Sequence, residues 1–94
     1  MKQFKYLSAF IKRSSKLLKL TRDESVRTSE LCNDKASAVW NGHNVNIGYY
    51  LMVLKLLFER SDNPRYKLTR RQLIEALVEA LQEELKHLWM IHNG

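Results

Sequence analysis

Residues 69–91, TRRQLIEALVEALQEELKHLWMI, decide the fold class, because they carry the strongest helical pattern in the chain. Thr69 and Gln72 have the spacing of a capping box, in which each side chain bonds the backbone N–H of the other residue. Apolar residues then recur every three or four positions, as on one face of an α-helix. The apolar face consists of Ile74, Leu77, Val78, Leu81, Leu85, Leu88 and Trp89, and the charged side of Glu75, Glu79, Glu83 and Lys86. The pattern predicts a helix over about 70–91.

A second long apolar segment, residues 47–61, precedes this helix and reads IGYYLMVLKLLFERS. Asn46 is of the residue type expected at an N-cap, and apolar side chains lie almost all round the predicted helix except at Lys55 and Glu59. A buried parallel strand is the alternative, but the length and the Leu and Met content favour a helix. Such a helix is expected at the centre of the core or between two subunits.

Two further helices are predicted in the N-terminal half. The first covers about 3–20, where the apolar residues with helical spacing are Phe4, Leu7, Ile11 and Leu18. The second covers about 22–40. Thr21 and Glu24 form its capping box, and Gly42 follows its end as a stop signal.

The composition agrees with one small bundle and excludes several other classes. The chain has 94 residues, 45% of them apolar, which is too short for two domains or a dinucleotide-binding fold. Its one cysteine, Cys32, excludes an intramolecular disulfide. The longest apolar stretch, from Ile47 to Phe58, is shorter than the roughly 20 residues that cross a bilayer. Residues 1–94 are therefore predicted to form a single all-α domain of about four helices, located in the cytoplasm.

Residues that could carry catalysis or bind a metal are few. His87 and His92 are five positions apart, which turns them about 140° from each other on a helix, and Cys32 has no matching histidine. The three glycines do not form a phosphate-binding loop. Glu79 and Glu83 lie on the same outer face of the helix, where carboxylates are usually exposed to solvent rather than part of a catalytic pair. We therefore expect no enzyme activity, no metal and no cofactor.

The positive charge is concentrated at the N-terminus. The formal net charge is +6, but residues 1–22 contain seven bases and no acid, whereas residues 23–94 contain nine bases and ten acids. On a basic amphipathic helix over 1–22, the stripe opposite the apolar face consists of Lys5, Lys12, Lys16 and Lys19. Four more bases surround the start of the last helix, namely Arg65, Lys67, Arg70 and Arg71. If both sets share a surface, they would bind a phosphate backbone in a salt-dependent way.

Other interpretations of the basic helix remain open. The acidic side of the last helix could pair with the lysine stripe, within the subunit or across a dimer. The basic helix also resembles a mitochondrial targeting helix in composition. It could attach to a membrane surface if its apolar face were free for lipid.

The resulting functional prediction is a small non-enzymatic regulatory protein that binds nucleic acid or another polyanion through these eight bases. The alternative is a protein-interaction adaptor or inhibitor that uses an apolar helix face, with Tyr49, Tyr50 and Trp89 at the interface. In both cases the amount of apolar surface predicts a homodimer, paired through residues 47–60 or 74–89. The alternative is a compact monomeric bundle in which Trp40 and Trp89 cap the core.

Overall fold

Four long helices are present in the computed structural model, which describes residues 4–24, 33–43, 46–66 and 68–93. We number them α1 (Lys5–Leu17), α2 (Asn33–Trp40), α3 (Ile47–Ser61) and α4 (Arg70–Asn93). The predicted all-α bundle of about four helices is confirmed. Residues 22–24 are also helical, but the middle of the predicted 22–40 helix, residues 25–32, lies outside the described residues.

Local hydrogen bonds explain where the helices begin. The capping box before α4 is complete: the Gln72 N–H donates to Thr69 Oγ1 over 3.2 Å, and the Thr69 N–H donates to Gln72 Oε1 over 3.0 Å. Asn46 accepts from a backbone N–H of the first turn of α3 over 2.8 Å. The Glu24 N–H donates to Thr21 Oγ1 over 3.0 Å. The predicted N-caps are therefore confirmed.

Helices α1 and α2 end in the same hydrogen-bonded turn, the Schellman motif. In each, the residue after the C-cap adopts a left-handed conformation: Lys19 with φ 55° and Gly42 with φ 73°. The N–H of the next residue bonds the carbonyl five positions earlier, over 2.8 Å in α1 and 2.9 Å in α2. Gly42 is required for a second reason, because a Cβ there would lie 3.0 Å from the Phe4 carbonyl oxygen.

The core lies between the helices, and α1 packs most extensively against α4. These two helices are antiparallel: Leu7 near the start of α1 bonds Glu84 in the second half of α4. The opposite end of α1 contacts Arg60, just before the loop that leads into α4. The buried cluster consists of Leu7, Phe10, Ile11, Leu18, Leu20, Val39, Tyr50, Val53, Leu57, Leu73 and Ala80.

The bundle is thin, which corrects the expected position of the third helix. The Cα atoms extend over 44 × 29 × 17 Å, so the shortest dimension holds only two helix layers. Helix α3 buries one face, including Val53 and Leu57, and exposes Ile47 and Leu51 on another. The first of the two expected positions, at the centre of the core, is wrong, because in two layers every helix keeps an outward side. The second, between two subunits, stays a prediction.

Candidate functional site

The lysine stripe predicted on the N-terminal helix is exposed. Its members are Lys5, Lys12, Lys16 and Lys19. Lys5, Lys12 and Lys16 lie on the side of α1 away from Phe10 and Ile11, which are fully buried. Lys19 was predicted within the same helix, but α1 ends at Leu17, and Lys19 follows its C-cap in a left-handed conformation. Within the described residues none of these lysines forms an ion pair with a carboxylate. The positive charge of α1 is therefore presented to solvent rather than neutralised within the described part of the chain.

Most acids of the described residues are paired with bases outside α1. The pairs are Arg22–Asp23 at 3.7 Å, Lys55–Glu59 at 3.9 Å, Arg60–Glu24, Arg70–Asp62 at 2.9 Å, Arg71–Glu75 at 3.4 Å and Lys86–Glu83 at 3.5 Å. Two acids of the last helix, Glu75 and Glu83, thus bond bases of α4 itself. Glu79 and Glu83 also line a groove of about 400 Å³ together with Arg13 of α1. In the described residues, the acidic side of α4 therefore faces Arg13 and leaves the lysine stripe unpaired.

Arg60 joins the end of α1 to the loop before α4. Its guanidinium donates to the Lys19 carbonyl oxygen over 2.8 Å, forms an ion pair with Glu24, and lies 5.7 Å from the centre of the Tyr66 ring. One side chain thus contacts both regions that the sequence identified as basic. The fold brings the C-terminal end of the lysine stripe and the segment around Arg65 to one end of the molecule.

The second basic set is only partly available. Arg65 is exposed, and its backbone N–H donates to Asn63 Oδ1 over 3.0 Å. Arg70 and Arg71 are held in the ion pairs with Asp62 and Glu75, and Lys67 lies outside the described residues. The positive charge without a carboxylate partner at this end of the molecule therefore comes mainly from the lysine stripe and Arg65.

The three predicted interface residues occupy different environments. Tyr50 is fully buried, donates its hydroxyl to the His43 carbonyl oxygen over 2.7 Å, and packs edge-on against Phe4 at 5.1 Å. Tyr49 is half-buried, and Lys35 lies 5.5 Å from its ring centre. Trp89 is 68% exposed on α4. Tyr50 is therefore a core residue, and only Trp89 lies on a strongly exposed apolar surface.

The last helix buries a different face from the one that its apolar pattern suggests. Leu73, Ala80 and Glu84 are buried. The predicted apolar face is largely exposed, at Ile74, Val78, Leu81, Leu85 and Trp89. We call these five residues the apolar stripe of α4. Met90, which is also exposed, adjoins its C-terminal end.

The buried position of Glu84 was not predicted from the sequence. Its Oε1 accepts the N–H of Leu7 over 2.8 Å, so it caps the first turn of α1 from another helix. Its Oε2 is buried with no hydrogen-bond partner in the described residues. Burial, with a further contribution from the Glu84 carboxylate, raises the pKa of Tyr50 to about 12. The helical spacing could have indicated this position, because Glu84 lies four residues after Ala80 and seven after Leu77, on the same side of the helix.

The described residues contain no group of His, Cys, Asp and Glu side chains that could hold a metal ion. In the same residues, no helix has the length and apolarity needed to cross a membrane. The apolar face of α1 is buried in the core and is not free for lipid. Comparison of the chain with protein-family models, with curated proteins and with solved structures finds no match.

Proposed function

We propose that this protein is a small, non-enzymatic regulatory protein of the cytoplasm that binds nucleic acid or another polyanion. The binding surface is the lysine stripe of α1, extended by Arg65 at the end where Arg60 joins α1 to the loop before α4. Arg70 and Arg71 border this end and contribute less, because each already has a carboxylate partner.

One observation carries the proposal: the lysines of α1 are exposed and unpaired, although most carboxylates of the described residues form ion pairs elsewhere. Lys5, Lys12 and Lys16 at helical spacing, followed by Lys19 just beyond the end of the helix, give a run of positive charge that can follow a row of phosphates. Release of counterions from the phosphates drives such binding and makes it salt-dependent. No base-reading element is needed, so we expect little dependence on nucleotide sequence.

The conformation of Lys19 supports a role for its charge. A non-glycine residue in the left-handed region costs about 1 kcal/mol, and glycine is the usual residue at this position of a Schellman motif. The related position of α2 is indeed occupied by a glycine, Gly42. A lysine at the end of α1 thus lowers the stability relative to glycine, and a role of its charge in binding would be consistent with that cost.

The test is fluorescence anisotropy with labelled duplex and single-stranded nucleic acid between about 50 and 200 mM salt. The variant Lys12→Glu/Lys16→Glu reverses the middle of the stripe. Its matched control, Lys35→Glu/Lys55→Glu, changes the net charge equally at exposed lysines of α2 and α3.

We expect the wild-type affinity to fall about 100-fold over this salt range if four phosphates are contacted. The stripe variant should bind at least about tenfold more weakly, with a log–log salt slope smaller by about 1.8, since two contacts are lost. The control should stay close to wild type. No binding of the wild type at the lowest salt, or equal losses in both variants, would contradict the proposal.

A protein-interaction role is the second candidate function, and the apolar stripe of α4 favours it. Exposed apolar patches of this kind mark interaction sites on soluble proteins. An adaptor or inhibitor that used this stripe would be insensitive to charge reversal at Lys12 and Lys16. Of the three residues predicted for such an interface, Trp89 is the one that the proposal keeps.

A further inference from the structure

The apolar stripe of α4 has the spacing of a coiled-coil seam. Ile74, Val78, Leu81 and Leu85 follow one another in steps of four, three and four residues, which is the 3.5-residue period of two helices wound around each other. Their side chains are exposed by 47%, 47%, 44% and 67%. Because the bundle has only two layers, nothing in the described part of the chain covers them.

The second half of the stripe forms a shallow groove of about 830 Å³. Its lining includes Gln82, Leu85, Lys86 and Trp89. Of these residues, Leu85 belongs to the seam, and the others lie along one flank of it. The groove therefore leaves room beside Leu85 for the side chains of a facing helix.

We propose that α4 pairs with α4 of a second copy of the chain, in antiparallel orientation, about a two-fold axis near residue 80. In this arrangement Ile74 of the second copy lies opposite Leu85, beside the groove, and Val78 faces Leu81. The two-fold axis repeats both contacts, so the first half of each stripe packs against the second half of the other.

Charge complementarity supports the antiparallel orientation. The flank of the stripe that faces away from the bundle carries Glu75 near its start and Lys86 near its end. Each side chain is exposed, and its ion pair is with a neighbour on the same helix, Arg71 for Glu75 and Glu83 for Lys86. Exposed pairs of this kind contribute little to stability, so both side chains can exchange partners in the dimer. When Ile74 of one copy lies opposite Leu85 of the other, its neighbour Glu75 comes beside Lys86 at the rim of the interface. The two-fold axis creates this pair twice, and the flanks that meet are both free of the rest of the bundle.

The extent of the exposed stripe fits a small interface. Its five residues are 44–68% exposed in the single chain, and a second copy would cover them along one face of one helix only, as in weak, small interfaces. We therefore expect a monomer–dimer equilibrium in the micromolar range. This inference does not depend on polyanion binding, because the lysine stripe lies on a different helix.

Sedimentation equilibrium of the full chain, with reductant present because of Cys32, tests the dimer first. We expect the average mass to rise from 11.1 kDa toward twice that value as the concentration increases from about 1 to 200 μM. Leu81→Glu should keep the monomer mass over the same range, with an unchanged far-UV CD spectrum. A wild-type chain that stays monomeric at the highest concentration overturns the proposal and leaves the stripe to a different protein.

Reversing the charges of Glu75 and Lys86 tests the antiparallel orientation of the dimer. Both side chains are exposed, so these substitutions leave the core intact. Glu75→Lys alone and Lys86→Glu alone should each weaken the dimer about tenfold, because like charges then meet at both rims. An equimolar mixture of the two variants should recover wild-type association, since the heterodimer restores both pairs. Lys55→Glu, an exposed reversal on α3, is the matched control and should not change association. A mixture no stronger than either variant alone overturns the antiparallel arrangement.

Discussion

Helices α1 and α4 form the largest contact in the bundle, yet they use their amphipathic faces in opposite ways. Helix α1 buries its apolar side, with Phe10 and Ile11 fully enclosed, and exposes its lysines. Helix α4 buries Leu73, Ala80 and Glu84, and its predicted apolar face is largely in solvent. The apolar pattern of a helix therefore does not by itself show which side is buried: it identifies the buried side of α1 but not that of α4.

The largest difference in stability between the two helices is expected when one apolar residue is truncated in each. Phe10→Ala should lower the free energy of unfolding by about 3–5 kcal/mol, because it leaves a cavity in the core. Leu85→Ala should change it by no more than about 0.5 kcal/mol in the monomer. Urea denaturation followed by CD at low micromolar concentration measures both. Similar losses in the two variants would mean that the stripe of α4 is buried in solution.

The next effect concerns Glu84, which links the two helices. Glu84→Ala should destabilise the protein by about 1–3 kcal/mol, because it leaves the Leu7 N–H without its acceptor. Glu84→Gln keeps an acceptor oxygen of nearly the same shape and should cost less. The same denaturation assay compares the two variants. If Gln and Ala were equally damaging, the negative charge rather than the hydrogen bond would hold the start of α1.

A smaller change in stability is expected at the ends of α1 and α2, where the Schellman motif contains Lys19 in one helix and Gly42 in the other. Lys19→Gly should stabilise the protein by about 0.5–1 kcal/mol, since glycine adopts the left-handed conformation without strain. The same variant should weaken polyanion binding in the anisotropy assay. Gly42→Ala is the opposing control and should destabilise, because its Cβ would meet the Phe4 carbonyl. A Lys19→Gly variant that binds as tightly as wild type would remove Lys19 from the proposed surface.

The smallest effect is the pH dependence of stability that comes from Tyr50 of α3, and it appears only at alkaline pH. Its folded pKa of about 12 lies above the ordinary value of 10.0. Between these values the unfolded chain has lost the proton while the folded chain keeps it, so stability falls as the pH rises from about 10 to 12. Below about pH 10 the contribution of Tyr50 is constant. Denaturation at several alkaline pH values should show a shallower loss for Tyr50→Phe, and an unchanged slope would contradict this assignment.

Much of the fold could be predicted because it depends on local interactions. Thr69 with Gln72, Thr21 with Glu24, and Asn46 each satisfy N–H groups within one turn of the chain, and all three caps are present. The positions of Lys5, Lys12 and Lys16 are equally local, since helical spacing alone places them on one side of α1. By contrast, the contacts of Arg60 with Lys19 span 41 positions, and no local pattern indicates them.

The sequence by itself determined the helical class, the helix starts and the basic side of α1, because periodicity and capping act within a few residues. Only the tertiary structure decided which side of α4 is buried, where Tyr50 lies, and which lysines keep their charge unpaired. The reason is competition between neighbours: each helix can cover only part of another, and shape as well as apolarity decides which part. The close contact of α1 with Ala80 and Glu84 on α4 leaves the larger apolar side chains outside.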